Sequence, residues 1–252
     1  MIKTNFHTHT TRCHHAFGTE REYIEAAIEE GIEELGFSDH CPIPFKSDYV
    51  SGIRMTMDEA KGYVECIRTL AKEYADKIKI YVGFECEYVP EFFEEQMELF
   101  DSLDVDYLIM GEHFIESEES GRYTGHLSDD YDYLKRYVDM VIEGMETGRY
   151  AYIAHPDIIN FAPDVEAYKR EMRRLCIRAK ELDIPLEVNA LGLKEGKQYP
   201  NDDFWDIVAE VGNKAIIGMD AHEPEMLKNE EAYLASVAIL EARGITQITK
   251  LL

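Results

Sequence analysis

The sequence predicts an α/β fold: parallel strands joined by helices and rolled into a closed or nearly closed barrel. Three observations predict it. Short apolar segments alternate with helical stripes seven times along 252 residues, with no linker or composition break, and alternation at this spacing argues for parallel strands with helical crossovers. A chain of this length suits one (β/α) barrel. No strand is followed by a glycine-rich dinucleotide fingerprint or a P-loop, which disfavours the competing open doubly wound sheet. Residues 1–252 are expected to form one domain.

The first strand leads into Asn5-Phe6-His7-Thr8-His9 and then Thr10-Thr11-Arg12-Cys13-His14-His15, so four of the nine histidines lie within nine positions. Thr19 and Glu22 have capping-box spacing and open a helix striped by Tyr23, Ile24, Ala27 and Ile28. Residues 34–40 read as a strand ending in Asp39 and His40, followed by a Pro-, Ser- and Gly-rich loop with Lys46 and Arg54. Thr56 and Glu59 form a second capping box before a helix to about residue 74. A β-branched and aromatic strand at 78–86 ends in Glu85, and after a helix at 90–103 a strand at 107–111 delivers Glu112 and His113.

A helix over 128–147 precedes a short strand ending at His155-Pro156-Asp157. The stripe Val165, Tyr168, Met172, Leu175, Ala179 and Leu182 marks the next helix. Residues 185–189 read as a strand and 190–200 as a loop. A helix at 202–211 then precedes the strand 215–220, which ends in Asp220 with His222 just beyond. A final helix and a short terminal segment after Gly244 complete the chain.

A net charge of −25 and a pI near 4.7 disfavour binding to nucleic acid or to anionic membranes, because an acidic surface repels phosphates. An acidic enzyme acting on a phosphorylated metabolite needs local positive charge, which bound divalent cations supply. Five cysteines without a C-x-x-C pair argue for reduced thiols in a cytoplasmic protein. Cys13, Cys41 and Cys86 lie near candidate ligands, but burial as small apolar residues explains them as well. No apolar run reaches membrane-spanning length, and no signal peptide is expected.

The candidate ligands share one place in the pattern. His7, His9, His40, Glu85, His113, His155 and Asp220 stand at or just past strand C-termini, and His15 and His222 lie in the loops that follow. In a (β/α) barrel those ends make one face, where catalytic residues gather. His7 and His9, two apart on a strand, point to the same side. Nine donors exceed one shell of four to six, so two or three divalent ions (Zn, Mn or Fe) are expected, with Glu85 bridging. Such a site points to hydrolysis, with bound ions activating water and polarising a phosphoryl oxygen. His14 and His126 fall outside the pattern and read as solvated residues.

Taken in order, His7-Thr8-His9, Ser38-Asp39-His40, Gly83-Phe84-Glu85, Glu112-His113, Ala154-His155-Pro156-Asp157 and Asp220-Ala221-His222 resemble the motifs of the PHP (polymerase and histidinol phosphatase) superfamily. The span from His7 to Pro42 is most similar to histidinol-phosphate phosphatases. The resemblance implies a distorted (β/α)7 barrel with a trinuclear centre. It places His7, His9, Glu85 and Asp220 on one metal, Glu85, His113 and His155 on a second, and His15, His40 and His222 on a third. It implies hydrolysis of a phosphomonoester, histidinol phosphate, by a metal-bridging hydroxide, with Asp220 or Asp39 steering protons.

The chain departs from that pattern where such phosphatases tend to carry arginine. It has Ile158-Ile159-Asn160-Phe161 after the H-P-D motif and Lys194 in Gly192-Leu193-Lys194. Lys194, helped by Arg54, is therefore the candidate phosphate-binding group. Two other readings are a PHP-type phosphodiesterase or exonuclease acting on small nucleotides, and a non-catalytic metal-binding domain.

Overall fold

The computed structural model describes residues 2–119 and 121–251. Its elements run β1 (Thr4–Asn5), α1 (Glu20–Glu29), β2 (Glu34–His40), α2 (Met57–Glu73), β3 (Lys79–Cys86), α3 (Phe93–Leu103), β4 (Tyr107–Met110) and α4 (Tyr131–Glu146). They continue with β5 (Tyr152–Ile153), α5 (Val165–Glu181), β6 (Leu186–Asn189), α6 (Ala190–Glu195), α7 (Asp202–Val211), β7 (Lys214–Gly218), α8 (Glu230–Arg243) and β8 (Thr246–Gln247). The eight strands are parallel and lie side by side in chain order. Seven strand–helix units are those the sequence predicts; the eighth strand is two residues of the terminal segment.

One local difference has a physical cause. The segment 190–200, expected as loop, begins with helix α6. Asn189 caps it by accepting from Gly192 N–H, and Gly196 ends it at φ 63°, a left-handed conformation that glycine adopts without strain. The capping boxes at Thr19/Glu22 and Thr56/Glu59 are both formed, as their spacing requires.

β7 is shared between two neighbours, and this distorts the barrel. At its N-terminal end β7 pairs with β8, Lys214 opposite Thr246. Beyond its C-terminal end Ala221 bridges Thr8; His9 N–H donates to the Ala221 carbonyl at 2.9 Å and Ala221 N–H to the His7 carbonyl at 3.1 Å. Asn5 clips the two edges together. Its Nδ2 donates to the His7 carbonyl (3.0 Å) and to Thr8 Oγ1 (2.8 Å), and its Oδ1 accepts from Met219 N–H (2.9 Å).

Side-chain alternation then sorts the strands into layers. Ile80, Val82, Phe84, Leu108, Met110, Leu186, Val188, Ala215 and Ile217 face the helices in the larger core. Phe6, Tyr81, Tyr107, Ile109, Tyr152 and Ile216 pack in a separate cluster, with Phe6 5.8 Å from Tyr81 and 5.9 Å from Tyr107 between ring centroids. This second cluster fills the barrel below the ligand-bearing ends, so the barrel is plugged and chemistry is confined to its C-terminal face. No helix among the described residues is long and apolar enough to cross a membrane.

Asn5 is fully buried, so removing its side chain strands partners on both edges of the closure. Asn5→Ala is expected to lose about 2–4 kcal/mol of stability, read as a lower denaturant midpoint at unchanged slope. A loss below about 1 kcal/mol would show that the clip is dispensable.

Candidate metal centre

Above the aromatic plug, the inward positions turn from apolar to ionisable. The register places His40 beside Glu85, and Glu85 shares the inward face of β3 with Tyr81 two turns of the pleat below. Two glycines make room for the carboxylates. A Cβ at Gly111 would lie 2.0 Å from Glu85 Oε1, and one at Gly218 would lie 1.7 Å from Glu187 Oε1. Two ligand candidates sit on strained backbone, His155 at φ 29° and Asp220 at φ 49°. Non-glycine residues in this region cost about 1–3 kcal/mol each and cluster at functional sites.

Glu85 is buried at the centre. Its Oε1 lies 3.5 Å from His7 Nε2, 3.6 Å from His113 Nε2 and 2.8 Å from His155 Nε2. Its Oε2 lies 3.5 Å from His9 Nε2 and 3.1 Å from His40 Nδ1. Asp220 Oδ1 lies 3.4 Å from His7 Nε2, 3.2 Å from His9 Nε2 and 3.3 Å from His222 Nδ1. His15 and His222 bring Nε2 to within 3.1 Å of Nε2.

A row of partners behind the histidines fixes which nitrogen faces the centre. His7 Nδ1 donates to Glu187 Oε1 (2.8 Å), His113 Nδ1 to Glu87 Oε1 (3.0 Å), His15 Nδ1 to the Cys13 carbonyl (2.6 Å) and His222 Nδ1 to the Asp220 carbonyl (3.1 Å). Each bond leaves the Nε2 lone pair turned inward, the arrangement that orients metal-ligating imidazoles. Asn189 Nδ2 donates to Glu187 Oε2 (3.0 Å) and Asp220 Oδ2 (3.1 Å), tying the two carboxylates together.

The donor set fits metal ions on its own chemistry. His7 Nε2, His9 Nε2, His40 Nδ1, Glu85 Oε2 and Asp220 Oδ1 are buried without hydrogen-bond partners, and such groups cost about 1–3 kcal/mol each when unmatched. Their separations match those of donors about 2.0–2.1 Å from a shared tetrahedral ion, which stand about 3.3 Å apart. His7, His9 and Asp220, His7, Glu85 and His155, and His9, His40 and His222 each bring three ligand atoms within 4.8 Å of one another. Cys13 joins His15 and His222 in a further such group.

Charge balance points the same way. Burial opposes a proton on His7, but Glu187, Asp220 and Glu85 outweigh it and raise its pKa well above the usual value. Burial and the neighbouring His9 hold His40 well below it. Burial and His222 push His15 down to about 4. Positive charge is thus favoured at His7 and disfavoured at His40 and His15, which stay neutral and able to ligate.

All nine sequence-predicted ligands converge on this face. Three other predicted residues take different places. Asp39, expected to steer protons, is buried behind His9, with Oδ1 3.5 Å from His9 Nδ1 and Oδ2 accepting from Thr10 N–H (3.1 Å); it orients that ring. Arg54, expected to grip substrate, is buried. Its guanidinium is held by Glu87 (2.9 Å twice), Glu118 (2.7 Å) and the Cys41 carbonyl (2.9 Å). Lys194 pairs with Glu223 at 2.6 Å and lines a smaller neighbouring hollow with Phe17 and Met226.

The cavity over the centre holds about 330 Å³. Its upper wall carries Phe114, Tyr123, Ile158, Leu191 and Tyr199, and Lys197 is the one lysine or arginine among its described lining residues. The sequence reading passed over Glu187, Glu87, Glu195 and Lys197. A signal existed for the first: in Leu186-Glu187-Val188-Asn189 the period of two puts an acid and an amide on the inward face of an otherwise apolar barrel strand.

The PHP domain family model matches residues 5–191. The chain belongs to the PHP family. A probable histidinol-phosphatase of Deinococcus radiodurans is 29% identical, over 95% of this chain and 92% of that relative. The histidinol-phosphatase of Bacillus subtilis is 24% identical, over 88% of this chain and 94% of its own length. The solved histidinol phosphate phosphatase of Lactococcus lactis, complexed with zinc, L-histidinol and phosphate, superposes with a TM-score of 0.76 at 18% identity, over 98% of this chain and 95% of that one. At that identity the likeness speaks for the fold. The PHP barrel expected from the motifs is the one observed.

Glu187 accepts from His7 Nδ1 on one oxygen and from His155 N–H and Asn189 Nδ2 on the other, and Glu187→Gln turns one of these acceptors into a donor. It is expected to weaken metal binding about 10- to 100-fold, measured by competition with a chromophoric chelator; unchanged affinity would remove Glu187 from the centre. Arg54→Ala leaves Glu87 and Glu118 buried without their cation. It is expected to cost about 3–5 kcal/mol in urea unfolding, whereas a substrate-gripping arginine would raise KM at unchanged stability.

Proposed function

We propose that this PHP protein is a phosphomonoesterase that holds two or three divalent ions, Zn, Mn or Fe, and hydrolyses L-histidinol phosphate to histidinol and inorganic phosphate in histidine biosynthesis. The observation that carries the reading is the meeting of five histidine nitrogens on the two oxygens of Glu85 at the floor of the cavity. Bound at these donors, the ions supply an activated water and electrophilic partners for the phosphoryl oxygens.

The chain's own residues do the rest. Glu85 and Asp220 neutralise and space the ions, while Glu187, Glu87 and Asn189 lock the ligating rings and carboxylates so that little reorganisation is needed. The apolar wall of Phe114, Ile158 and Leu191 limits water around the ester and strengthens each polar contact inside. The cavity's size suits a small monoester, and a single lining lysine gives no track for an oligonucleotide backbone. Five cysteines outside any disulfide support a cytoplasmic setting.

Protein loaded with Mn or Zn should release phosphate from L-histidinol phosphate with kcat/KM of about 10⁴ M⁻¹s⁻¹ or more. His9→Ala should fall to the background of the metal-stripped protein while keeping a cooperative unfolding transition. Near-normal turnover in that variant, or no phosphate release by fully metallated protein, would sink the proposal.

A further inference from the structure

Once the metal ligands are set aside, the cavity retains two charged side chains, Glu195 and Lys197. They face each other, with Lys197 Nζ 2.8 Å from Glu195 Oε2, at side-chain exposures of 35% and 45%. Glu195 ends α6 and Lys197 follows the Gly196 cap at φ 63°, so the chain reversal brings them side by side. Tyr199 lies 6.0 Å from Lys197 by ring centroid and 5.8 Å from the His155 ring. The pair therefore borders the same space as the metal-facing histidines.

A half-exposed lysine–carboxylate pair contributes little in water and opens readily. It differs in this from the buried Arg54–Glu87 pair, whose partners are fixed. Glu195 poses a problem for a plain phosphomonoester. A carboxylate facing the cavity repels a dianionic phosphate, and it loses its cation if Lys197 swings to the phosphate. A substrate carrying its own positive charge removes the conflict, because each half of the protein's pair then finds a partner of opposite sign.

We infer that Glu195 and Lys197 form a split ion pair selecting phosphomonoesters whose alcohol carries a cationic group, Lys197 taking a phosphate oxygen and Glu195 the substrate cation. The inference rests on the phosphatase reading and assigns to this pair the recognition of the two opposite charges, phosphate and amine, that L-histidinol phosphate carries. Lys194 does not serve this role, because it lines the adjacent hollow and not the cavity over the centre. Burial opposes the Lys197 charge, yet Glu195 outweighs it and Asp220 adds to the same effect, so Lys197 remains a cation for the phosphate.

The test compares O-phosphoethanolamine with propyl phosphate, which has the same shape without the charge, together with L-histidinol phosphate. Wild-type protein should prefer the cationic ester by at least about tenfold in kcat/KM, the scale of one charge-assisted hydrogen bond. Glu195→Gln and Glu195→Ala should bring that ratio to within about threefold of one, at unaltered metal content. Lys197→Ala should raise KM for both esters and weaken competitive inhibition by inorganic phosphate, and Lys197→Arg should recover both. Equal use of the two esters by the wild type, or a preference that survives both Glu195 variants, would overturn the inference while leaving the phosphatase reading intact. If no ester releases phosphate from metallated protein, that reading fails and this one with it.

Discussion

The Glu85 carboxylate is the constraint about which the mouth of the barrel is built. It is buried, and five imidazole nitrogens from four strand ends stand within 3.6 Å of its two oxygens. A carboxylate so far from water is tolerable only with compensating positive charge. Protonated histidines supply part of it; divalent ions at the same donors supply it without forcing neighbouring imidazoliums together. The surrounding structure follows from that need. Glycine at 111 lets the carboxylate lean across the barrel, and left-handed backbone at His155 and Asp220 turns their side chains inward. The carboxylates of Glu187 and Glu87 hold the rings from behind.

The fold places the cost of this assembly where it can be met. Below the centre, Phe6, Tyr81, Tyr107 and Tyr152 fill the barrel with well-packed aromatic surface. Outside it, the helices bury the opposite faces of the same strands. The ionisable layer is thus carried on strands fixed from both sides, which gives the rigidity that a metal cluster demands of its ligands. Sharing β7 between β8 below and the Thr8–Ala221 bridge above brings His7, His9, Asp220 and His222 to one seam. Four of the nine candidate ligands come from the first and last strands of the barrel seam for that reason.

Much of this could be read from the sequence. The alternation of strand and helix is a local signal, as are the capping boxes at Thr19 and Thr56, and local signals survive folding. The ligands were legible because a barrel turns a one-dimensional rule, polar residues at strand ends, into a three-dimensional cluster. What escaped depended on long-range partners. Arg54 looked like a free cation in a polar loop, yet Glu87 and Glu118 claim it from 33 and 64 residues away. Asp39 and His40 are adjacent, and strand pleating sends only His40 toward Glu85. Lys194 and Lys197 are three apart on a capped turn; only the path of α6 decides which one borders the cavity.

The account stands on the claim that these donors form a multinuclear metal centre, and counting the ions tests it most directly. Protein stripped by chelation, reloaded with Mn or Zn and freed of excess metal should retain two or three ions per chain by elemental analysis. Its thermal midpoint should rise, because ligands that bind only the folded state stabilise it. Retention of one ion or none per chain, with an unchanged midpoint, would contradict the account.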